Sequence, residues 1–124
     1  MVANYKIGMT RGDSKAYKFQ RKYKDANGVI HPITQIADKV FFTVKKSYRN
    51  QEFLLQKRLS DMTFDENAFY HFMINPEDTN NIDFGTYVYD VEVITNGHKF
   101  TISSGNFVLG YENTWASNEG GNND

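Results

Sequence analysis

Residues 82–94 read IDFGTYVYDVEVI. Val91 and Val93 continue a face begun by Tyr87 and Tyr89, while Val88, Asp90, Glu92 and Ile94 fall on the other. A period of two in a β-branched and aromatic run is the pattern of a strand with one buried face. Thr95-Asn96-Gly97-His98 follows at once, and Asn-Gly between two strand patterns predicts a two-residue type I′ hairpin loop. Lys99 to Ser104 then returns antiparallel with Phe100 and Ile102, Gly105 is expected to mark a bulge, and Phe107 to Leu109 completes the last strand. Upstream, Ile74 to Thr79 reads as a Pro-initiated turn leading into the 82–94 strand.

The earlier chain repeats this pattern at short spacing. Lys6 to Arg11 predicts a short edge strand broken at Gly8 and Gly12. Ser14 to Tyr23 alternates with Tyr17, Phe19 and Tyr23 inward, and Lys24 to Gly28 is a turn with the positive-φ chemistry of Asn27-Gly28. Val29 to Ile36, carrying Pro32, is expected to be a connector. Ala37 to Lys46 is a strong strand with Val40, Phe42 and Val44 on one face. Phe53 to Leu59 is another, with Phe53, Leu55 and Leu59 together, and Ser60 to Asn67 is read as a loop. Phe69 to Ile74 resumes the alternation through Tyr70, Phe72 and Ile74. About seven or eight antiparallel strands with at most one short helix predict an all-β chain of two packed sheets. No internal repeat is read from the sequence. Residues 1–116 form the expected single domain, and 117–124, SNEGGNND, a polar C-terminal tail.

The totals narrow the function. The chain has 124 residues, of which 40% are hydrophobic and 15% aromatic, a load that suits an all-β core. Zero cysteines exclude a disulfide framework, a thiol nucleophile and a Cys-ligated zinc site. No apolar run approaches the ~18 residues of a membrane span, and Met1 to Thr10 lacks the hydrophobic region of a signal peptide. A soluble protein made in a reducing cytosol is expected. The net charge of −1 hides an asymmetry: residues 1–62 carry 13 Lys/Arg against 5 Asp/Glu, and residues 63–124 carry one against 10. In two packed sheets, early and late strands lie side by side, so cross-strand pairing would cancel much of this field. What is left uncancelled would be a bipolar surface for another protein or for copies of the same chain.

No catalytic constellation emerges. Gly12-Asp13-Ser14 resembles the opening of GDSL-type hydrolases, but no Asp-x-x-His dyad accompanies it. Arg11-Gly12-Asp13 reads as a charged turn rather than an integrin tripeptide. His31, His71 and His98 lie in separate segments without metal-ligand spacing. Glu77, Asp78 and Asp83 lack the alternation of a calcium loop, and helix capping accounts for Asp78. No phosphate-cradling loop occurs, so no cofactor and no metal are expected. The basic first half, with Tyr17, Phe19 and Tyr48 interleaved, resembles a single-strand nucleic-acid binder, yet those aromatics fall on the core alternation and nucleic acid is not favoured. Tyr111 and Trp115 lie beyond the last strand and either fold back onto the domain or anchor on a partner, where such residues are enriched.

Asp83, Gly85, Tyr87 and Tyr89 resemble the D-x-G-x-Y-x-C run of immunoglobulin domains, in which the Tyr hydroxyl turns back onto nearby backbone. Tyr89 stands where the second cysteine would be, and Phe41 and Phe42 would fill the volume of the usual Trp. That resemblance implies an immunoglobulin-like β-sandwich without its disulfide, with Asp83, Gly85 and Tyr87 as the structural corner. The runs ADKVFFTVKKSYRNQEFLLQKRL and YHFMINPEDTNNIDFGTYVYDVEVITNGHKFTISSGNFVL resemble small immunoglobulin-like proteins of tailed bacteriophages, among them the N-terminal domain of baseplate upper proteins. The likeness spans roughly Met9 to Leu109 and implies a non-catalytic virion protein, made in the host cytoplasm and docking on capsid or on tail and baseplate proteins. Ending after this domain, the chain fits an accessory or decoration module. A carbohydrate- or host-receptor-binding module is the alternative.

Overall fold

Two positive backbone angles, φ 52° at Asn96 and φ 79° at Gly97, form the mirror-image hairpin turn expected there, whose twist matches that of the strands it joins. The computed structural model describes residues 3–110, with side chains from Tyr5 onward. Its strands in chain order are β1 (Ala3–Asn4), β2 (Ile7–Thr10), β3 (Lys15–Gln20), β4 (Lys22–Lys24), β5 (Ile30–Pro32), β6 (Lys39–Lys45), β7 (Leu55–Arg58), β8 (Thr63–Phe64), β9 (Phe69–Ile74), β10 (Gly85–Thr95) and β11 (His98–Gly110). The helical content is one 3₁₀ turn, Leu59–Asp61, and one short helix, α1 (Pro76–Thr79), among the described residues. The protein is all-β.

One sheet runs β1-β11-β10-β6-β7, with β2 also alongside β11; a second runs β3-β9-β8; among the described residues β4 and β5 pair only with each other. The 82–94 stretch supplies the centre of the first sheet. Tyr87, Tyr89, Val91 and Val93 are all buried, and Val88, Asp90, Glu92 and Ile94 are all half-buried on the outer face, as the alternation predicts. Val40, Phe42 and Val44 of β6, Phe107 and Leu109 of β11, and Tyr70, Phe72 and Ile74 of β9 complete a shared core. The sheets meet where the Phe42 ring lies 4.8 Å from that of Phe72, and within the first sheet it lies 5.7 Å from that of Tyr89. Aromatic pairs at this spacing add about 0.5–1.5 kcal/mol beyond the area they bury.

Several expectations change in detail. The sheet irregularity falls between Val91 and Glu92, which face Ser103 and Thr101, so the extra residue is Ile102 and not Gly105. Phe42 alone enters the core; Phe41 is half-buried on the outer face, with the Arg58 guanidinium 5.9 Å from its ring centre. Phe53 is exposed because β7 begins two residues later, at Leu55. The 29–36 connector contains β5, and Pro32 is tolerated there because β5 has no second strand partner among the described residues. The 60–67 loop contains most of the 3₁₀ turn and β8. Tyr23 is 52% exposed rather than inward. After Arg21, whose carbonyl accepts the Ile33 N–H at 2.8 Å, the chain leaves the β3 sheet, and the alternation carries Tyr23 past the core.

Candidate docking surface

Asp83, Gly85 and Tyr87 lie together at the start of β10. The Tyr87 hydroxyl donates to the Asp83 carbonyl at 2.7 Å, and Gly85 holds φ 156° with its Cα facing the Tyr87 ring. Burial, then the nearby Asp83 charge, pushes the Tyr87 phenol up from its ordinary value, so it stays a donor. Tyr89 donates to the Tyr5 carbonyl at 2.6 Å and so ties the first segment to β10. Arg11 and Gly12 are absorbed by the same end of the molecule. The Arg11 guanidinium lies 4.2 Å from the Phe84 ring centre, and the Gly12 N–H donates to Thr79 Oγ1 at 2.9 Å. Asp78 receives the Asn75 N–H and the Lys57 ammonium, both at 2.7 Å. It caps α1 and forms an ion pair between the basic and acidic halves.

A repeat escaped the sequence reading. Asp25-Ala-Asn-Gly-Val-Ile-His31 and Asp65-Glu-Asn-Ala-Phe-Tyr-His71 share the spacing Asp-x-Asn-x-x-x-His, and they fold alike. In each, one aspartate oxygen accepts two backbone N–H groups at 2.9 Å, from Asn27 and Val29 or from Asn67 and Phe69. The other oxygen meets His Nε2 at 2.7 Å. The fourth residue has positive φ, 81° at Gly28 and 68° at Ala68, which gives a type I turn closed by a left-handed residue. The histidine bond, followed by the backbone amides, holds both carboxyls below the usual carboxylate range. The shared spacing was the signal available in the sequence. Each histidine is engaged by the aspartate of its own turn, and no group of three metal-capable side chains occurs among the described residues.

The two turns sit differently. Asp65–His71 joins β8 to β9 in the core sheet. Asp25–His31 tips the β4–β5 ribbon, where Tyr23, Val29 and Ile30 are 52%, 51% and 60% exposed and the Tyr23 ring stacks 5.2 Å from His31. At the base of this ribbon a groove of about 900 Å³ opens between the two sheets. Phe42, Phe72, Tyr89 and Val91 reach its floor, Tyr5 and Phe100 stand exposed at its rim, and Lys6, Lys18, Arg21 and Lys22 surround it. No carboxylate among the described residues lines it. The Tyr17 hydroxyl and Arg21 Nε are buried along this wall without a hydrogen-bond partner among the described residues. Burial, with Tyr89 second, pushes the Tyr17 phenol up.

Tyr48 contributes through its hydroxyl, which accepts the Gly105 N–H at 3.1 Å and faces the carbonyls of Tyr89 and Gly105 at 3.3 and 3.2 Å. It bridges β10 and β11, with the rest of the side chain exposed. Tyr111 and Trp115, the partner-docking residues expected from sequence, lie outside the described residues. No protein-family model matches the chain, and the comparison with curated proteins returns no match.

Proposed function

We propose that this chain is a non-enzymatic structural protein of a tailed-phage virion, a small immunoglobulin-like module that docks on capsid or tail and baseplate proteins. The observation carrying the docking role is the β4–β5 ribbon. A two-stranded ribbon is marginal by itself, and one that presents a tyrosine and two β-branched residues to water gains stability when a partner covers them. Support for the immunoglobulin-like reading comes from strand order: β3-β9-β8 and β11-β10-β6 follow the B-E-D and G-F-C orders of such sandwiches, with the tyrosine corner at the start of the F-equivalent strand. Many identical weak contacts on a repeating particle would add through multivalency. Co-sedimentation of the purified protein with virions assembled without it tests this reading: saturable binding supports it, and protein left in the supernatant counts against it.

Exposed Tyr5 and Phe100 at the groove rim favour a second reading, a carbohydrate- or host-receptor-binding module, because exposed rings beside a concave surface suit sugar stacking. A saturable glycan-array signal from the free protein, with no particle binding, would favour it.

A further inference from the structure

The groove between the sheets borders a strand edge with no described partner. β3 is outermost in its sheet. In a constant-type immunoglobulin arrangement the first strand lies beside the second. Here β1 and β2 instead run parallel to β11, pairing Ala3 with Ser103 and Ile7 with Phe107. The N–H and C=O groups along one side of β3 thus face the groove that Tyr17, Lys18, Phe19 and Gln20 line.

Charge then selects what can sit there. Lysine on an edge strand guards it, because a second copy of β3 would place like charges opposite one another. Lys18 and Lys22 are exposed, and no described carboxylate forms an ion pair with Lys6, Lys18, Arg21 or Lys22. The groove floor is apolar and made of core side chains. A strand with alternating apolar and acidic residues matches both features; a nucleic acid would meet the cations and leave the strand edge and the apolar floor unmatched. The unpartnered Tyr17 hydroxyl and Arg21 Nε lie along the same wall, and such orphans in a folded protein call for a reason.

We propose that this groove receives an extended, acid-rich polypeptide segment of a partner, added as a strand to the free edge of β3. Its apolar side chains turn in over Phe42, Phe72 and Tyr89, and its carboxylates turn out toward the exposed Lys18 and Lys22. Main-chain pairing supplies affinity and the alternate side chains supply selectivity, while the charges speed encounter and make binding salt-dependent. This rests on the docking reading above and names the chemistry of what is docked.

The test uses the full chain labelled with ¹⁵N and a nine-residue peptide alternating valine and glutamate around a central phenylalanine. Glutamine and lysine counterparts and an oligothymidylate serve as comparisons. The proposal requires saturable amide shifts over residues 15–22 with the glutamate peptide, at least tenfold weaker binding by the glutamine peptide, and weakening in high salt. The double variant Lys18→Glu with Lys22→Glu, both at exposed positions, must keep the wild-type spectrum and lose the peptide. Absence of saturable shifts, equal shifts from the lysine peptide, or saturation of the same amides by oligothymidylate alone overturns it. Peptide saturation without particle binding would keep the groove and remove the virion reading. Undiminished particle binding by a protein that ignores the peptide would do the reverse.

Discussion

The turns at Asp25–His31 and Asp65–His71 share a sequence pattern, a hydrogen-bond scheme and a left-handed fourth residue, yet one is built into the core and the other stands clear of it. The difference lies in the residues just before each histidine. Tyr70 is fully buried, its ring 4.8 Å from Phe19 and 4.7 Å from Phe64, and its hydroxyl accepts the Ala37 N–H at 3.0 Å. Ile30, at the matching position, is exposed. An identical local device thus serves a structural hairpin in one place and a presenting hairpin in the other. Local chemistry makes the turn, and the side chains flanking it decide what the turn is for.

The largest effect expected is at those two positions. Tyr70→Ala should cost about 3–5 kcal/mol of stability by opening the core, whereas Ile30→Ala should change it by no more than about 0.5 kcal/mol. Chemical denaturation of the two variants measures both, and equal costs would erase the distinction. The left-handed residue gives a smaller effect with opposite signs. Gly28→Ala places a Cβ at φ 81°, with nothing within 4 Å to hinder it, so the cost is backbone strain of about 1–2 kcal/mol. It should appear as roughly tenfold faster amide exchange confined to the β4–β5 ribbon. Ala68→Gly should stabilise the whole protein by less than about 1 kcal/mol, because relieved strain is offset by the loss of a buried methyl group.

The smallest effect is the pH dependence. Folded-state carboxyl values below the ordinary range mean that each turn's contribution is complete above about pH 4 and lost as pH falls through the lower folded value. For Asp65→Asn, the gap in melting temperature from wild type should hold from neutral pH to about pH 5 and close below about pH 4. For Asp25→Asn the melting temperature should barely move, and the loss should show in ribbon amide exchange alone.

The sequence carried the central strand and its hairpin because each follows from a short-range rule: alternation for Tyr87 to Val93 and positive φ for Asn96-Gly97. It failed where the outcome depended on which strand pairs with which. Nothing local separates Tyr17 and Phe19, which face the core, from Tyr23, two residues after the chain has left its sheet. The bulge at Ile102 is likewise a matter of register between β10 and β11, and Gly105 misled because glycine also serves inside a regular ladder, here directly opposite Tyr89. The groove was invisible for the same reason, since Lys6, Lys18 and Phe100 come together only when three distant segments are laid side by side. The charge asymmetry was readable, and the Lys57–Asp78 pair is one place where the two halves meet.

The central claim is that the apolar side chains of the β4–β5 ribbon serve a partner and not the fold. The double variant Tyr23→Ala with Ile30→Ala tests it, with denaturation and particle co-sedimentation measured on the same sample. A wild-type denaturation midpoint with binding to virions lost is the predicted result. Undiminished binding, or a collapse in stability comparable to that of Tyr70→Ala, would contradict it.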